Sequence, residues 1–365
     1  MKQERKSKFI IAIFVLVLTI PSITYPFFKQ FIDTTNYENR ELASKPELDY
    51  SNYLEFPNLY EDYYIDHIAY KNQFIKLNNL INIKLFNTLD NSQVVLGKNN
   101  WLFYKGEGGI AINEYKADNL YSEKQLMKIL DNVVEYKKKI KETTGSDFVL
   151  MLIPDKEHVY SEFLPNYIQS KSTYKRIDQI YNYITQNSDV KVCYPLNRLK
   201  SMKEEKQVYY KYDTHWNQIG AYYGSIELLN IIGVDCKNVV NYKNTNERSG
   251  DLARMIYLND YFSDDSEFVV ENYFDNINVS KIYDDKQINQ ALTKYKSSIK
   301  NNKKLYFVGD SFKDGMKNYI SKQFENTIFV HRSTFNKEDY LNEKPDVFVY
   351  QLVERYNSSL LDLKY

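Results

Sequence analysis

The sequence contains little cysteine and no excess charge. Only Cys193 and Cys236 occur among 365 residues, and one possible bridge cannot form the disulfide framework of a small secreted domain. Neither has metal-ligand spacing, which favours two buried free thiols, although pairing in an oxidising compartment stays open. Lysine plus arginine and aspartate plus glutamate each number 48, so no global positive charge predicts a nucleic-acid partner. We also find no internal repeats and no long low-complexity tract.

One long apolar segment stands at the N-terminus. Residues 9–28 have no charged side chain and follow four basic residues. A helix of about 20 residues spans roughly 30 Å, the thickness of the bilayer's hydrocarbon core. We expect residues 1–8 to be a cytoplasmic tail and residues 9–28 a single-pass signal anchor, with the rest extracytoplasmic. A cleaved signal peptide is the alternative, but Ser22-Ile23-Thr24 poorly matches an A-x-A cleavage site.

After residue 28, the sequence predicts a linker with a helical lead-in over residues 29–90 and a catalytic domain over residues 91–365. Within this domain, apolar strand-like runs alternate with amphipathic helical patterns, which predicts an α/β fold with a doubly wound, mostly parallel sheet. Residues 237–300 lose this rhythm and are interpreted as an irregular insertion. The predicted strands are residues 148–154, 190–195, 305–308, 327–333 and 346–355; a capping box at Ser122–Gln125 begins one helix, and another covers 217–232.

The segment LYFVGDSF, residues 305–312, places a serine directly after a buried strand. Ligands of α/β sheets bind at this carboxyl edge, and a following helix N-terminus would add free N–H donors. Ser311 is therefore a candidate nucleophile, although Gly-Asp-Ser is also a common turn.

A serine nucleophile needs a base, and histidine is the usual one. The candidates are His67, His158, His215 and His331. His67 lies outside the predicted sheet, whereas His158 and His331 follow strands and could instead be satisfied structural histidines. His215 follows Asp213 by two residues, so in an extended segment both side chains point to one side. We therefore expect Asp213 to orient His215 and Trp216 to wall the pocket; the alternative is an N-cap aspartate near a surface histidine.

The order of several motifs resembles the SGNH-hydrolase-like family that includes the alginate O-acetyltransferases and the DHHW-type proteins. These motifs are ENREL (38–42), VVLGKNNWLFY (94–104), IPDKEHVYSEFLP (153–165), DTHW (213–216), GDL (250–252), GDSF (309–312) and PDVFVYQLVER (345–355). Asn100 stands where the family usually has glycine. The resemblance covers roughly residues 38–356 and is specific in its combined order.

This resemblance implies a circularly permuted enzyme in which Ser311 is the nucleophile, His215 the base and Asp213 its orienter. It implies no metal and no soluble cofactor. The expected partners are a membrane-bound O-acyltransferase, which supplies acetyl groups across the bilayer, and a surface polysaccharide, whose hydroxyl groups accept them. The expected location is the cell membrane, with the catalytic domain extracytoplasmic.

Several points stay open. Lys156, Tyr160 and Arg355 follow predicted strands and could bind substrate, although ion pairs and packing explain them equally well. The Ser311 backbone N–H is one oxyanion donor, but no G-x-N-D block supplies a second. The same triad could serve a carbohydrate esterase that removes acetyl groups. A third alternative is a non-catalytic glycan-binding scaffold of an export complex.

Overall fold

The structure is a computed structural model that describes residues 2–37, 40–234, 240–244, 248–264, 268–272, 276–285 and 292–365. The chain divides into two compact units, residues 1–91 with 253–261, and residues 92–252 with 262–365. The helices are α1 (Lys2–Phe28), α2 (Phe56–Asp66), α3 (Lys71–Ile81), α4 (Ile110–Lys116), α5 (Glu123–Thr144), α6 (Lys156–Val159), α7 (Arg176–Asn187), α8 (Leu196–Met202), α9 (Gln218–Ile232), α10 (Asp251–Met255), α11 (Lys313–Ile320) and α12 (Lys337–Glu343). The strands are β1 (Val94–Leu96), β2 (Leu102–Tyr104), β3 (Asp147–Ile153), β4 (Lys191–Cys193), β5 (Val240–Asn244), β6 (Arg248–Ser249), β7 (Ser263–Asp264), β8 (Phe268–Asn272), β9 (Val279–Asp285), β10 (Leu292–Ser297), β11 (Lys304–Gly309), β12 (Asn326–His331) and β13 (Val347–Val353).

The first unit contains the apolar N-terminal helix. The span Arg5–Phe31 has 27 residues, contains an 18-residue window with a mean hydropathy of 2.2, and is long enough to cross a membrane. Its apolar side chains are exposed in the structure. These properties fit a single-pass anchor or a signal sequence.

A buried carboxylate organises the segment that follows this helix. Asp66, at the end of α2, accepts hydrogen bonds from the Arg40 guanidinium and, at 2.8 Å, from the Ala43 backbone N–H. The Arg40 hydrogen bond, the backbone hydrogen bond and the nearby Lys71 hold the pKa of Asp66 well below its usual range, against the effect of burial. The arginine of the ENREL motif therefore fixes the lead-in to α2.

The second unit is built on a seven-stranded sheet in the order β4-β3-β13-β11-β12-β10-β9. The pairs from β4 to β12 are parallel, and the last two pairs are antiparallel. The central parallel strands bury both faces, so successive side chains along a strand pack into different cores. Leu305 and Phe307 pack with α9 and α11, whereas Tyr306 and Val308 pack with α5 and α7. This arrangement confirms the predicted doubly wound, mostly parallel α/β fold.

The local signals for the helix ends are also confirmed. The Ser122 hydroxyl accepts from the Gln125 N–H, and the Gln125 side chain accepts from the Ser122 N–H, which completes the capping box of α5. Asn217 caps α9, and Gly233 ends it with φ +86°. Asn100 has φ +60° in the turn between β1 and β2, a left-handed conformation that asparagine tolerates better than most residues, so the replacement of glycine is accommodated there.

The interpretation of 237–300 as irregular differs from the structure at β9 and β10. These strands extend the sheet by antiparallel pairing and lie at one end of it. Their sequences, VSKIYDD and LTKYKS, are largely polar: β9 is the edge strand, and β10, between β9 and β12, is only partly buried, so the apolar periodicity of both is weak. Cys193 is buried and free, whereas Cys236 lies outside the described residues, and so does any pairing between them.

Candidate active site

The Ser311 side chain is exposed at the carboxyl edge of the central sheet. Strand β11 ends at Gly309, and α11 begins at Lys313. β11 runs parallel to β13, its neighbour towards β3, so the segments after these strands meet at the same edge. This is the position that the sequence predicts for Ser311.

Asp310 holds the turn that presents Ser311. Its buried carboxylate accepts from the Phe312 N–H at 3.1 Å, from Gln351 Nε2 at 2.9 Å and from the Val353 N–H at 2.8 Å. Two of these donors belong to β13, so the turn is fixed to the neighbouring strand. The aspartate of the GDSF motif therefore has a structural role that the sequence pattern does not predict.

His215 lies between Asp213 and Ser311. Its Nδ1 is 2.7 Å from Asp213 Oδ1, and its Nε2 is 2.7 Å from Ser311 Oγ. The His215 backbone N–H also donates to Asp213 Oδ1 at 3.0 Å, which orients the carboxylate. This geometry fits an imidazole that donates from Nδ1 and accepts the serine hydroxyl proton at Nε2. The structure thus brings together the three residues that the sequence predicts as a catalytic set.

A second carboxylate, Asp251, lies behind this pair. It accepts from the Thr214 N–H at 2.7 Å and from the Thr214 hydroxyl at 2.6 Å, and its own N–H donates to Asp213 Oδ2 at 3.1 Å. Its Oδ2 is 3.6 Å from His215 Nδ1. The sequence does not predict a role for Asp251, although the GDL motif that contains it (250–252) is a usable signal.

Gly250 makes this approach possible. An added Cβ at this position would lie 1.9 Å from the Tyr212 carbonyl oxygen and 2.7 Å from Asp213 N. Because these are backbone atoms, no side-chain rearrangement could relieve the contact. Glycine therefore allows the chain before Asp251 to pack directly against the segment that leads to His215.

The carboxylates raise the basicity of His215. Burial by itself lowers the pKa of His215, but the hydrogen bond and charge of Asp213, together with the charge of Asp251, raise the pKa overall above its usual value of 6.5. Burial and the charge of Asp213 raise the pKa of Asp251. A proton taken from Ser311 would therefore be held more firmly than by a free imidazole.

Trp216 joins the two motifs that contain His215 and Ser311. Its indole Nε1 donates to the Phe312 carbonyl oxygen at 3.1 Å, and the two rings pack edge to face at 5.5 Å. Trp216 also lines a cleft of about 280 Å³ that contains Ser311 and His215. The remaining lining residues are Tyr210, Gln218, Phe312, Asp314 and Gly315.

The other predicted substrate contacts have structural partners. Lys156 is 1% exposed, and its ammonium donates to the carbonyl oxygens of Tyr210, Lys211 and Asp213 at 3.2, 3.3 and 2.7 Å. The Tyr160 hydroxyl accepts from the Val208 N–H at 2.9 Å. These contacts fit the alternative in which Lys156 and Tyr160 have a structural role, because both residues hold the chain that precedes His215.

Arg355 is also buried. Its guanidinium donates to the Asp155 carboxylate and lies 5.5 Å from the centre of the Phe312 ring. This ion pair connects the segments after β3 and β13 beneath the serine turn. Lys156, Tyr160 and Arg355 are not among the described residues that line the Ser311 cleft.

All four histidines lie in the described ranges, and their contacts differ. His158 Nδ1 lies 3.1 Å from Glu354 Oε2, and His331 Nδ1 lies 2.6 Å from the Ser333 hydroxyl. His67, in the first unit, is 2.8 Å from the Tyr63 carbonyl oxygen. Of the four, His215 is the one that contacts Ser311.

Asp213, His215 and Asp251 also form a group of potential metal ligands. Their ligand atoms lie within 4.8 Å of one another. An ion bound through His215 Nδ1 would replace the hydrogen bond to Asp213, because one nitrogen cannot both donate a proton and ligate a metal. The observed contacts therefore fit a hydrogen-bonded base better than a metal ligand.

The comparisons with known proteins agree with this fold. Residues 94–264 match the family described as an SGNH hydrolase-like domain of the acetyltransferase AlgX. The predicted resemblance is confirmed. The match includes Asp213, His215 and Asp251, whereas Ser311 lies beyond it. A probable alginate O-acetylase AlgJ from Pseudomonas syringae pv. tomato is 28% identical over 165 residues, which are 44% of this chain and 38% of that protein. The similarity thus spans well under half of the relative.

Solved structures show the same fold at low sequence identity. A DHHW family protein from Eubacterium siraeum has a TM-score of 0.55 and 15% identity, with 75% of this chain and 96% of that chain covered. Bacillus cereus PatB1 has a TM-score of 0.52 and 14% identity, with 75% and 100% covered. The fold therefore extends beyond the segment that the family model matches.

Proposed function

We propose that this chain is an extracytoplasmic O-acetyltransferase that moves an acetyl group through an acyl-serine at Ser311 onto hydroxyl groups of a cell-surface polysaccharide. The observation that supports this most directly is the continuous contact from Asp213 through His215 to Ser311, at 2.7 Å for each step. The similarity to an acetyltransferase family supports the reaction class.

In the first half-reaction, His215 Nε2 takes the Ser311 hydroxyl proton while Oγ attacks the acetyl carbonyl carbon. The bond to the donor's leaving group then breaks, and His215 gives its proton to that group. The products are an acetyl ester on Ser311 and a neutral His215. Asp213 keeps Nε2 directed at Ser311 and stabilises the transient imidazolium.

In the second half-reaction, a polysaccharide hydroxyl takes the place of the leaving group. His215 removes its proton, the hydroxyl oxygen attacks the acetyl carbonyl carbon, and Ser311 Oγ leaves and is protonated by His215. The sugar ester is formed and the enzyme is regenerated. Both half-reactions balance: the three side chains and the two substrates account for each proton transferred and for each bond formed or broken.

The apolar helix α1 supports a place at the membrane for this reaction. Its hydropathy and length suit a single-pass anchor, which would hold the second unit outside the cytoplasm. We propose that a membrane-bound O-acyltransferase supplies the acetyl group and that a surface polysaccharide accepts it. The Pseudomonas relative, described as a probable alginate O-acetylase, supports a polysaccharide acceptor.

A carbohydrate esterase is the second candidate, and the exposure of Ser311 favours it. The serine side chain is exposed, so water can reach an acyl-serine unless a bound acceptor excludes it. The two functions use the same triad and differ in which nucleophile takes the acetyl group. The ratio of transfer to hydrolysis therefore distinguishes them.

The test uses the full chain in detergent with a chromogenic acetyl ester. We expect ester cleavage and one acetyl group on Ser311 by intact mass and peptide mapping, with both lost in Ser311→Ala. Ser201→Ala, at an exposed serine in α8, is the matched control and should keep full activity. Added polysaccharide should divert acetyl groups from water to sugar; turnover that persists in Ser311→Ala contradicts the proposal.

A further inference from the structure

The exposed serine needs more than one donor for the oxyanion that forms during acyl transfer. The Ser311 backbone N–H has no acceptor among the described residues and lies two residues before the first residue of α11, so it is available as one donor. A single N–H leaves half of such a site unfilled. Removal of one donor in comparable sites costs about 10²–10³ in kcat.

Gln218 is a polar side chain of the Ser311 cleft that can donate a hydrogen bond. It is the first residue of α9, three positions after His215, and it lines the same cleft as Ser311 and His215. Its side chain is half-buried, which lowers the competition from water while leaving the amide accessible to a bound ester. The residue thus extends from the helix that immediately follows the histidine motif.

The Gln218 amide is also held in one orientation. The Tyr319 hydroxyl donates to Gln218 Oε1 at 3.0 Å and lies 3.3 Å from the Gln218 carbonyl oxygen. With its oxygen occupied, the amide offers the N–H groups of Nε2, for which no acceptor occurs among the described residues. Tyr319 belongs to α11, the helix after Ser311, so this contact joins the elements that supply the serine and the histidine.

We propose that Gln218 Nε2 is the second oxyanion donor, acting with the Ser311 backbone N–H. This inference rests on the proposed acyl-serine mechanism. The amide forms no covalent bond; it donates a hydrogen bond to the acetyl carbonyl oxygen, which becomes negatively charged when Ser311 or an acceptor oxygen attacks. Tyr319 is a positioning residue that acts through Gln218.

An oxyanion donor has a kinetic signature that an acceptor-binding residue lacks. Both half-reactions pass through a tetrahedral intermediate on the same carbonyl, so loss of the donor slows both. A residue that binds the polysaccharide would affect the second half-reaction alone. Rates of acyl-serine formation and decay on a small chromogenic ester, without polysaccharide, therefore separate the two roles.

The experiment compares the full-length protein with Gln218→Ala, Tyr319→Phe and the double variant. We expect Gln218→Ala to lower both half-reaction rates by about 10²–10³, with little change in KM. Tyr319→Phe should have a smaller effect that largely disappears in the Gln218→Ala background, since it acts through the same amide. Asn230→Ala, an exposed amide near the end of α9, is the matched control and should leave both rates unchanged.

Two outcomes overturn the inference. Rates within twofold of the wild-type protein in folded Gln218→Ala would show that the amide does not stabilise the oxyanion. A loss confined to transfer onto polysaccharide would assign Gln218 to acceptor binding instead. The Ser311→Ala variant distinguishes a failure of this inference from a failure of the proposed function. If the proposed function is wrong, Ser311→Ala retains the ester turnover of the wild-type protein.

Discussion

Trp216 and Phe312 connect the two halves of the candidate active site. The indole Nε1 of Trp216 donates to the buried Phe312 carbonyl oxygen at 3.1 Å, although 96 residues separate them along the chain. Trp216 is adjacent to His215, and Phe312 is adjacent to Ser311. This hydrogen bond therefore ties the segment that contains His215 to the segment that contains Ser311.

Replacement of Trp216 by phenylalanine tests this connection. The variant keeps an aromatic ring but leaves the Phe312 carbonyl without its donor, which should lower the free energy of unfolding by about 1–3 kcal/mol. We expect kcat to fall by about 10-fold to 100-fold, because an ~1 Å misplacement of reacting groups costs up to 10². Urea unfolding and ester turnover measure the two effects; unchanged turnover in Trp216→Phe would contradict the positioning role.

The close contact between α9 and α11 gives a second prediction. A Cβ added to Gly315 would lie 2.8 Å from Ala221 Cβ and 3.1 Å from Trp216 Nε1. Gly315→Ala should therefore push the helices apart and lower the free energy of unfolding by about 1–3 kcal/mol, with reduced turnover. The double variant Gly315→Ala/Ala221→Gly removes the opposing methyl group and should recover part of the lost stability and part of the lost turnover. No recovery would show that the contact between the helices does not cause the losses.

Much of this site could be predicted because its signals are local. The apolar strand before Ser311, the i, i+2 spacing of Asp213 and His215, and the cap of α9 are each encoded within a few residues. The carboxyl ends of parallel strands meet at one edge, so a sheet prediction also predicts which segments come together.

The other features of the site depend on tertiary contacts between segments that are far apart in the sequence. Asp251 reaches the histidine pair because Gly250 lets two backbones meet across 38 residues, and no local periodicity marks that contact. Lys156 could be placed at a strand end from the sequence, but its three carbonyl acceptors belong to a loop more than 50 residues away. The sequence does not predict β9, a polar edge strand, or its partly buried neighbour β10, because neither has the apolar pattern of the central strands.

Asp213→Asn should be far more harmful than its small change in size suggests. An amide can donate to His215 Nδ1, which favours the tautomer with a proton on Nε2, where the serine proton must go. We expect a loss in kcat on the order of 10⁴, as in the serine-protease triad template, with little change in KM. Full activity in the folded Asp213→Asn variant would contradict the orienting role of Asp213. Treatment of the wild-type protein with a chelator tests for a metal ion and should leave ester turnover unchanged.

The pH dependence follows from the raised pKa of His215. The imidazole must be neutral to accept the serine proton, so kcat/KM should rise with pH, with a midpoint above the ordinary histidine value of 6.5. Asp251→Asn removes one of the charges that raise this pKa and should shift the midpoint to lower pH. A pH profile of ester turnover measures both; a midpoint that stays fixed or moves upward in Asp251→Asn contradicts this account.

Lys156→Met separates a structural lysine from a substrate-binding one. The buried ammonium donates to three backbone carbonyl oxygens on the segment before His215, the nearest being that of Asp213 at 2.7 Å. Methionine fills similar space but donates to none of them, and buried acceptors without donors cost about 1–3 kcal/mol each. We expect a lower free energy of unfolding and a lower kcat with KM for the small ester unchanged. Lys171→Met, at a largely exposed lysine of the same unit, is the matched control. A rise in KM for polysaccharide in Lys156→Met, without loss of stability, would instead support a role of Lys156 in substrate binding.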